Sequence, residues 1–194
     1  MTKSNKTLLC CLLTCVMVLA CALTILPIAT PTTANAETKT ITLTFPDENN
    51  ANNKVSSYDK SWTAKIGENE WTIFAFNNNS WNNSWNLIKC GSNKAESSPY
   101  IVATFSQKID SIKVYYNITS ENQACLTSKK LIVASDSEFN TIVEEVEIKD
   151  FPDSALNFKV SKQGENLYYK LAFECKKTSK NGIFEITQIE YTIL

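Results

Sequence analysis

Apolar and polar side chains alternate along most of the chain from Thr38 onward, with β-branched and aromatic residues on one face. This period of two is typical of strands that bury one face and expose the other. Clusters of Asn, Gly, Ser, Asp and Pro separate the alternating runs. The pattern predicts about ten strands, which are Thr40–Phe45, Glu70–Phe76, Trp85–Cys90, Tyr100–Phe105, Ser111–Thr119, Lys130–Ala134, Val143–Lys149, Asn157–Val160, Leu167–Cys175 and Ile183–Ile193.

Helix is predicted to be scarce, because no stretch repeats apolar residues at a helical spacing for three turns. A single turn at Asp136–Asn140 is the most that the pattern allows. Short strands separated by turns favour an all-β fold, with two antiparallel sheets packed as a jelly-roll-like β-sandwich. Asn181-Gly182 suits a type I′ turn, so we expect a closing hairpin between the strand ending near Cys175 and the strand beginning at Ile183.

The first 36 residues have the pattern of an export signal. Lys3 and Lys6 precede a long apolar run, and Ala34-Asn35-Ala36 is a small-x-small triplet of the kind that signal peptidase accepts. We therefore assign 1–36 to a signal peptide and 37–194 to a single sandwich domain that is secreted or displayed at the cell surface. The length of the apolar run leaves an uncleaved membrane anchor as the alternative, and Val18-Leu19-Ala20-Cys21 loosely resembles a lipobox.

Composition excludes several kinds of chemistry. Without Lys3 and Lys6, the 19 basic side chains become 17 against 20 acidic ones, a net charge of −3. The chain has no arginine and no histidine, which argues against nucleic-acid binding, histidine-dependent catalysis and zinc sites with histidine ligands. Cys90, Cys125 and Cys175 remain after the signal, so at most one internal disulfide can form. Buried reduced thiols are the simpler interpretation, and the sequence does not choose among the three pairings.

The predicted strands also carry a family resemblance. The chain resembles an accessory β-sandwich module of exported gut-bacterial proteins, in the galactose-binding-like (jelly-roll) class, in the strings Trp71-Thr72-Ile73, Ile88-Lys89-Cys90-Gly91, Leu131-Ile132-Val133-Ala134, Tyr168-Tyr169-Lys170-Leu171 and Asn181-Gly182-Ile183. The resemblance implies a binding or accessory role, often beside enzymes. It brings no catalytic residue with it.

The segment Asn77–Asn86 is the candidate binding site. It reads Asn-Asn-Asn-Ser-Trp-Asn-Asn-Ser-Trp-Asn, which combines flat aromatic faces with side-chain amides. Aromatic faces stack on the CH groups of sugars and amides bind hydroxyls, so we predict a carbohydrate platform. Its residues are Trp81, Asn79, Asn82 and Asn83. Trp85 begins a predicted strand and is assigned to the core.

The leading prediction is a non-catalytic binding module for an extracellular glycan or a cell-surface protein. Two other functions remain as alternatives. A small hydrolase acting through two carboxylates would draw on Asp47, Glu48, Asp110, Glu144, Glu145 or Glu174. A structural surface protein would bind no small ligand. No cofactor is expected, and calcium at Asp47-Glu48-Asn49-Asn50 is the metal that the sequence leaves open.

Overall fold

Eleven strands and one helical turn make up the described part of the chain, which is residues 39–50, 54–78 and 86–194 of a computed structural model. The helical turn, α1, is Ser120–Gln123. The strands are β1 Thr40–Thr44, β2 Ser61–Ile66, β3 Asn69–Phe74, β4 Ile88–Cys90, β5 Tyr100–Phe105, β6 Ile109–Asn117, β7 Leu126–Ala134, β8 Ile142–Glu147, β9 Ala155–Lys159, β10 Leu167–Cys175 and β11 Phe184–Ile193.

The strands form two antiparallel sheets. The six-stranded sheet has the order β2-β3-β5-β10-β7-β8, and the five-stranded sheet has the order β1-β11-β6-β9 with β4 also paired to β11. Tyr168 of β10 lies between Thr104 of β5 and Ala134 of β7 in this register. The predicted all-β sandwich with about ten strands and little helix is therefore confirmed.

Strict alternation places one face of each central strand in the core. Along β10, Leu167, Tyr169, Leu171, Phe173 and Cys175 are buried, while the residues between them face outward. The inward residues of both sheets meet in an aromatic cluster, in which the ring centroids of Phe105 and Tyr191 lie 4.8 Å apart. Each such ring removes a large apolar area from water and so stabilises the fold. The outward residues are not needed for this core and can serve a function instead.

Two local predictions differ from the structure. The sequence assigned no strand to 61–66, where β2 pairs with β3 through the tight turn at Gly67-Glu68. The single helical turn expected at Asp136–Asn140 is a non-helical turn, and the helical turn lies at α1 instead. The carboxylate of Asp136 accepts backbone N–H groups of its own turn, which competes with helical hydrogen bonding.

The predicted closing hairpin is wrong. β10 lies in the six-stranded sheet and β11 in the five-stranded sheet, so the chain between them crosses from one sheet to the other. Gly182 does take the positive φ expected of it, at 70°. Its N–H donates to the carbonyl of Gly91 at 2.9 Å, next to β4. Gly182 therefore lies in the connection that crosses between the two sheets and not in a hairpin turn.

No helix among the described residues is long and apolar enough to cross a membrane. The signal assigned to 1–36 lies outside the described residues. Its cleavage, and the single domain from 37 to 194, stay predictions.

Candidate functional site

The outward face of the six-stranded sheet carries a groove. We call it the outer groove; its volume is about 520 Å³, and it lies over β3, β5 and β10 with the β7–β8 turn at one side. The alternation that buries Tyr169 and Leu171 turns Tyr168 and Lys170 toward this groove. Its walls mix aromatic, hydroxyl and charged side chains: Thr63, Glu70, Thr72, Tyr100, Val102, Ala103, Thr104, Ser137, Glu138, Phe139, Tyr168 and Lys170.

Phe139 reaches the groove from a turn with an unusual backbone. Its φ is 57°, in the left-handed region that bulky side chains rarely adopt. The carboxylate of Asp136 holds this turn, accepting the N–H groups of Glu138 at 3.1 Å, Asn140 at 3.0 Å and Thr141 at 2.7 Å. Strain of this kind persists only where the surrounding structure fixes it, and it concentrates at ligand sites.

The same hydrogen bonds control the charge of Asp136. The N–H of Asn140, followed by those of Thr141 and Glu138, lowers the pKa of the Asp136 carboxyl from its usual 3.8. A carboxylate that accepts several N–H groups is stabilised in its ionised form. At neutral pH, the turn that presents Phe139 is therefore held by the ionised Asp136 carboxylate.

Aromatic and cationic groups link the two sides of the groove. The ring of Phe139 meets Tyr168 edge to face, with centroids 6.5 Å apart. The ammonium of Lys170 lies 4.6 Å from the Tyr100 ring centroid and 5.4 Å from that of Phe139. Tyr100 also stacks on Phe74 at 5.0 Å. Cation–π contacts of this kind hold Lys170 in place, and it has no carboxylate partner in the described ranges.

The arrangement can bind a polar ligand with apolar patches. Tyr168 and Phe139 offer ring surface for CH groups, and the Thr72 hydroxyl and the Lys170 ammonium offer hydrogen-bonding groups. The Thr104 hydroxyl donates to the Leu167 carbonyl at 3.2 Å, so it offers a ligand only its acceptor lone pairs. Within the described part of the chain, the Tyr168 hydroxyl has no hydrogen-bond partner. This combination of flat aromatic surface and convergent polar groups suits a sugar.

A second concavity is less suited to a ligand. It measures about 510 Å³ and includes Tyr116 and Phe151. The Tyr116 hydroxyl donates to the Pro152 carbonyl, and the Lys129 ammonium sits 4.0 Å from the Phe151 ring centroid while donating to the Lys149 carbonyl. The two aromatic side chains of this concavity, Tyr116 and Phe151, are therefore already engaged within the protein.

The platform predicted from the sequence lies outside the described residues. Trp81, Asn79, Asn82 and Asn83 all fall in 79–85, and so does Trp85. The described flank on one side is anchored: Asn78 accepts the N–H of Val55 through its Oδ1 at 2.7 Å and donates its own N–H to the Val55 carbonyl at 3.0 Å. The Trp81 platform stays a proposal.

The six carboxylates considered for hydrolysis each have a local partner. Asp47 is buried and accepts N–H groups of its own turn and of Lys65, and Glu48 accepts the N–H of Gly67. The others pair along the strands: Asp110 with Lys159, Glu144 with Ser161 and Lys162, Glu145 with Lys130, and Glu174 with Ser98.

The turn considered for calcium, Asp47-Glu48-Asn49-Asn50, uses its carboxylate oxygens in hydrogen bonds. Both Asp47 carboxylate oxygens accept from the Asn50 amide, at 2.9 and 3.0 Å. In the described ranges, no group of three or more Asp, Glu, Cys or His side chains is placed to hold a metal ion. The oxygens of this turn stabilise the turn itself.

Comparison with known proteins finds likeness only among solved structures. No family profile and no curated protein matches the chain. A fucose binding module from Streptococcus pneumoniae is 17% identical with a TM-score of 0.39, covering 61% of this chain and 77% of that one. A Clostridium perfringens protein described as CpGH89CBM32-6 is 11% identical at a TM-score of 0.30, covering 80% and 94%.

The C-terminal domain of a chitobiase from Bacteroides fragilis is 15% identical at a TM-score of 0.35, covering 73% of this chain and 99% of that domain. The resemblance noted in the sequence is matched by a likeness to these three structures. At these identities and TM-scores it carries no argument about the ligand, which rests on the groove.

Proposed function

We propose that this chain is a non-catalytic module that binds carbohydrate in the outer groove. The observation that carries the proposal is Phe139, held at positive φ by Asp136 so that its ring stands beside Tyr168 and Lys170. A turn that served only to connect β7 with β8 would not need a bulky residue in a conformation that favours glycine. The strain is explained if the ring is presented to a ligand.

The groove offers the two kinds of contact that a sugar requires. Ring surface from Tyr168 and Phe139 can pack on CH groups, and Lys170, Thr72 and Thr104 stand close enough to line the same groove. All but Phe139 project from strands whose inward neighbours are buried, so the floor is rigid. A rigid site lowers the entropy lost on binding.

The test is a glycan-array screen of the purified protein, followed by calorimetry on the best ligand. Tyr168→Ala should weaken binding by at least about tenfold, because tenfold corresponds to ~1.4 kcal/mol and a stacked aromatic contact contributes about that much. Tyr115→Ala, on the outward face of the other sheet, is the matched control and should bind as the wild type does. Binding that survives Tyr168→Ala would exclude the outer groove.

The Trp81 platform is the second candidate site for the same function. Trp81→Ala should abolish binding without lowering the melting temperature if that platform, rather than the groove, holds the sugar. The two single variants therefore assign the site between them. No binding to any glycan by the folded wild type would favour a structural surface protein or a protein partner.

The non-catalytic part of the proposal has its own test. Glu70 and Glu138 both line the outer groove, and a hydrolase would need two carboxylates on either side of the scissile bond. We expect the best ligand to be recovered intact after long incubation with the wild-type protein. Release of product that stops in Glu70→Gln or Glu138→Gln would make the groove an active site.

We also propose that the module works outside the cytoplasm. The basis is Lys3, Lys6, the apolar run and Ala34-Asn35-Ala36. N-terminal sequencing of material from the medium should begin at Glu37. Recovery in the membrane fraction of a form that retains Lys3 would favour the uncleaved anchor.

A further inference from the structure

Two of the three cysteines outside the predicted signal meet between the sheets. Cys90 ends β4 in the five-stranded sheet, and Cys175 ends β10 in the six-stranded sheet. Their sulfur atoms lie 3.8 Å apart, with both residues buried. Cys125, just before β7, is half-buried. The structure thus distinguishes one pair among the three pairings that the sequence leaves open.

The backbones that carry the two sulfurs are both held by strand pairing. Cys90 lies opposite Phe184 of β11, and Cys175 exchanges hydrogen bonds with Ser97 at 2.8 and 2.9 Å. A disulfide has a sulfur–sulfur distance of about 2.05 Å, so the sulfurs must approach by under about 2 Å. Rotation of the two side chains between rotamers moves the sulfurs on this scale.

We infer that Cys90 and Cys175 form an intramolecular disulfide that joins the two sheets, and that Cys125 stays a free thiol. The oxidant is a low-molecular-weight disulfide or a protein disulfide donor. One cysteine thiolate attacks that disulfide and expels one thiol, and the second cysteine thiolate attacks the mixed disulfide and expels the other. The oxidant gains two electrons, and the two protons pass to the released thiols.

The bond forms before the sheets close over the sulfurs. Burial, and then the hydrogen bond with Cys175, raises the pKa of the Cys90 thiol, so it is a poor nucleophile in the folded protein. Oxidation therefore belongs to the folding chain or to an opened state. Once formed, the bridge is shielded from thiol reductants by the same burial.

The bridge constrains a long stretch of chain. It connects residues separated by 85 positions, and closing a long loop removes much of the entropy of the unfolded chain. It also attaches the three-residue strand β4 covalently to the opposite sheet. Its effect should appear as a higher melting temperature and as protection of β4 from hydrogen exchange.

The test is to refold the purified full chain, with Cys10, Cys11, Cys15 and Cys21 of the predicted signal replaced by serine, in oxidised glutathione. Free thiols are then trapped and peptides are mapped without reduction. We expect one cross-linked peptide containing Cys90 and Cys175, with Cys125 carrying the trap. The oxidised protein should melt roughly 5 °C or more above the reduced protein. Cys125→Ser should keep this difference, and Cys90→Ala should remove it.

Other outcomes overturn the inference. Cys90 and Cys175 both trapped as thiols after oxidative refolding, or either of them linked to Cys125, would do so. The wild-type peptide map decides the pairing even if Cys90→Ala proves too unstable to purify. A melting difference that persists in Cys90→Ala would assign the stabilisation to another residue.

Discussion

The two outward faces of the sandwich hold similar residues in different arrangements. On the five-stranded sheet, Tyr115 of β6 donates its hydroxyl to the Glu190 carboxylate of β11 at 3.0 Å. On the six-stranded sheet, Tyr168 contacts Phe139, and Lys170 lies over the rings of Tyr100 and Phe139. The first tyrosine has its polar partner within its own sheet. The second stands in a groove with its hydroxyl available.

The difference comes from one turn. Residues 135–141 connect β7 to β8 and bring the Phe139 ring to the side of the groove, where the outward residues of β10 already lie. A sheet face is a flat or gently twisted surface, and it becomes a site when a loop supplies a second wall. We therefore expect the proposed binding to depend on this turn, whereas the opposite face only needs to stay solvated.

Of the changes that we predict to weaken binding at the outer groove, replacing Phe139 by glycine should have the largest effect. Glycine accepts the φ of 57° without steric cost, so Phe139→Gly removes the ring and relieves the backbone strain together. We expect binding to fall by at least about tenfold, as estimated for one stacked ring. The melting temperature should stay within a few degrees. Calorimetry and thermal denaturation measure the two quantities.

A large loss of stability in Phe139→Gly would contradict this view of the turn. It would mean that the ring closes the surface of the sheet and contributes to folding, in which case the two outward faces differ less than we propose. Tyr115→Ala serves again as the control, because its ring lies on the face that is expected not to bind.

Acidification should weaken binding by releasing the same turn. Because folding lowers the pKa of Asp136, its stabilisation of the turn is complete above its ordinary pKa of 3.8. It is lost as the pH falls below that value and through the lowered pKa. Affinity should then decline toward that of Phe139→Gly. Titrations of the wild type and of Asp136→Asn isolate this effect as the difference between the two curves, since Glu70 and Glu138 of the groove are common to both proteins.

The sequence predicted the central strands well and the connections less well. Tyr100–Phe105 and Leu167–Cys175 were predicted with their observed bounds, because every second residue in them is apolar and buried and most of these are large. β2 was missed although Trp62 and Ala64 alternate with polar residues, since a small buried Ala64 in an edge strand gives a weak apolar signal.

Turn signals report backbone conformation and not strand pairing. Asn181-Gly182 correctly indicated a positive φ at Gly182, yet the strands on either side join different sheets. β11 instead pairs with β1, β4 and β6, which are distant in sequence. Such non-local pairing depends on how much apolar surface the two sheets bury together, and no short sequence motif indicates this.

The outer groove could not be found from the sequence for a related reason. Its aromatic residues come from Tyr100, Phe139 and Tyr168, which belong to three separate segments. Outward residues of a strand show no pattern that distinguishes a binding face from a solvated one. The short string Asp136-Ser137-Glu138-Phe139-Asn140 was the available signal, because an Asx-type turn that contains an aromatic residue presents that residue at the surface.

Removing the charge of Lys170 should produce the smallest effect. Lys170→Gln keeps a polar side chain in the groove but ends the cation–π contacts with Tyr100 and Phe139. Such contacts contribute about 0.5–1 kcal/mol at exposed sites, so we expect affinity to fall roughly two- to fivefold. Lys113→Gln is the matched control, since Lys113 is exposed on the opposite face and lies beside Glu190 in the register. A tenfold or greater loss in Lys170→Gln would mean that the ammonium binds the ligand directly, and an unchanged affinity would mean that its contacts with the two rings do not contribute to binding.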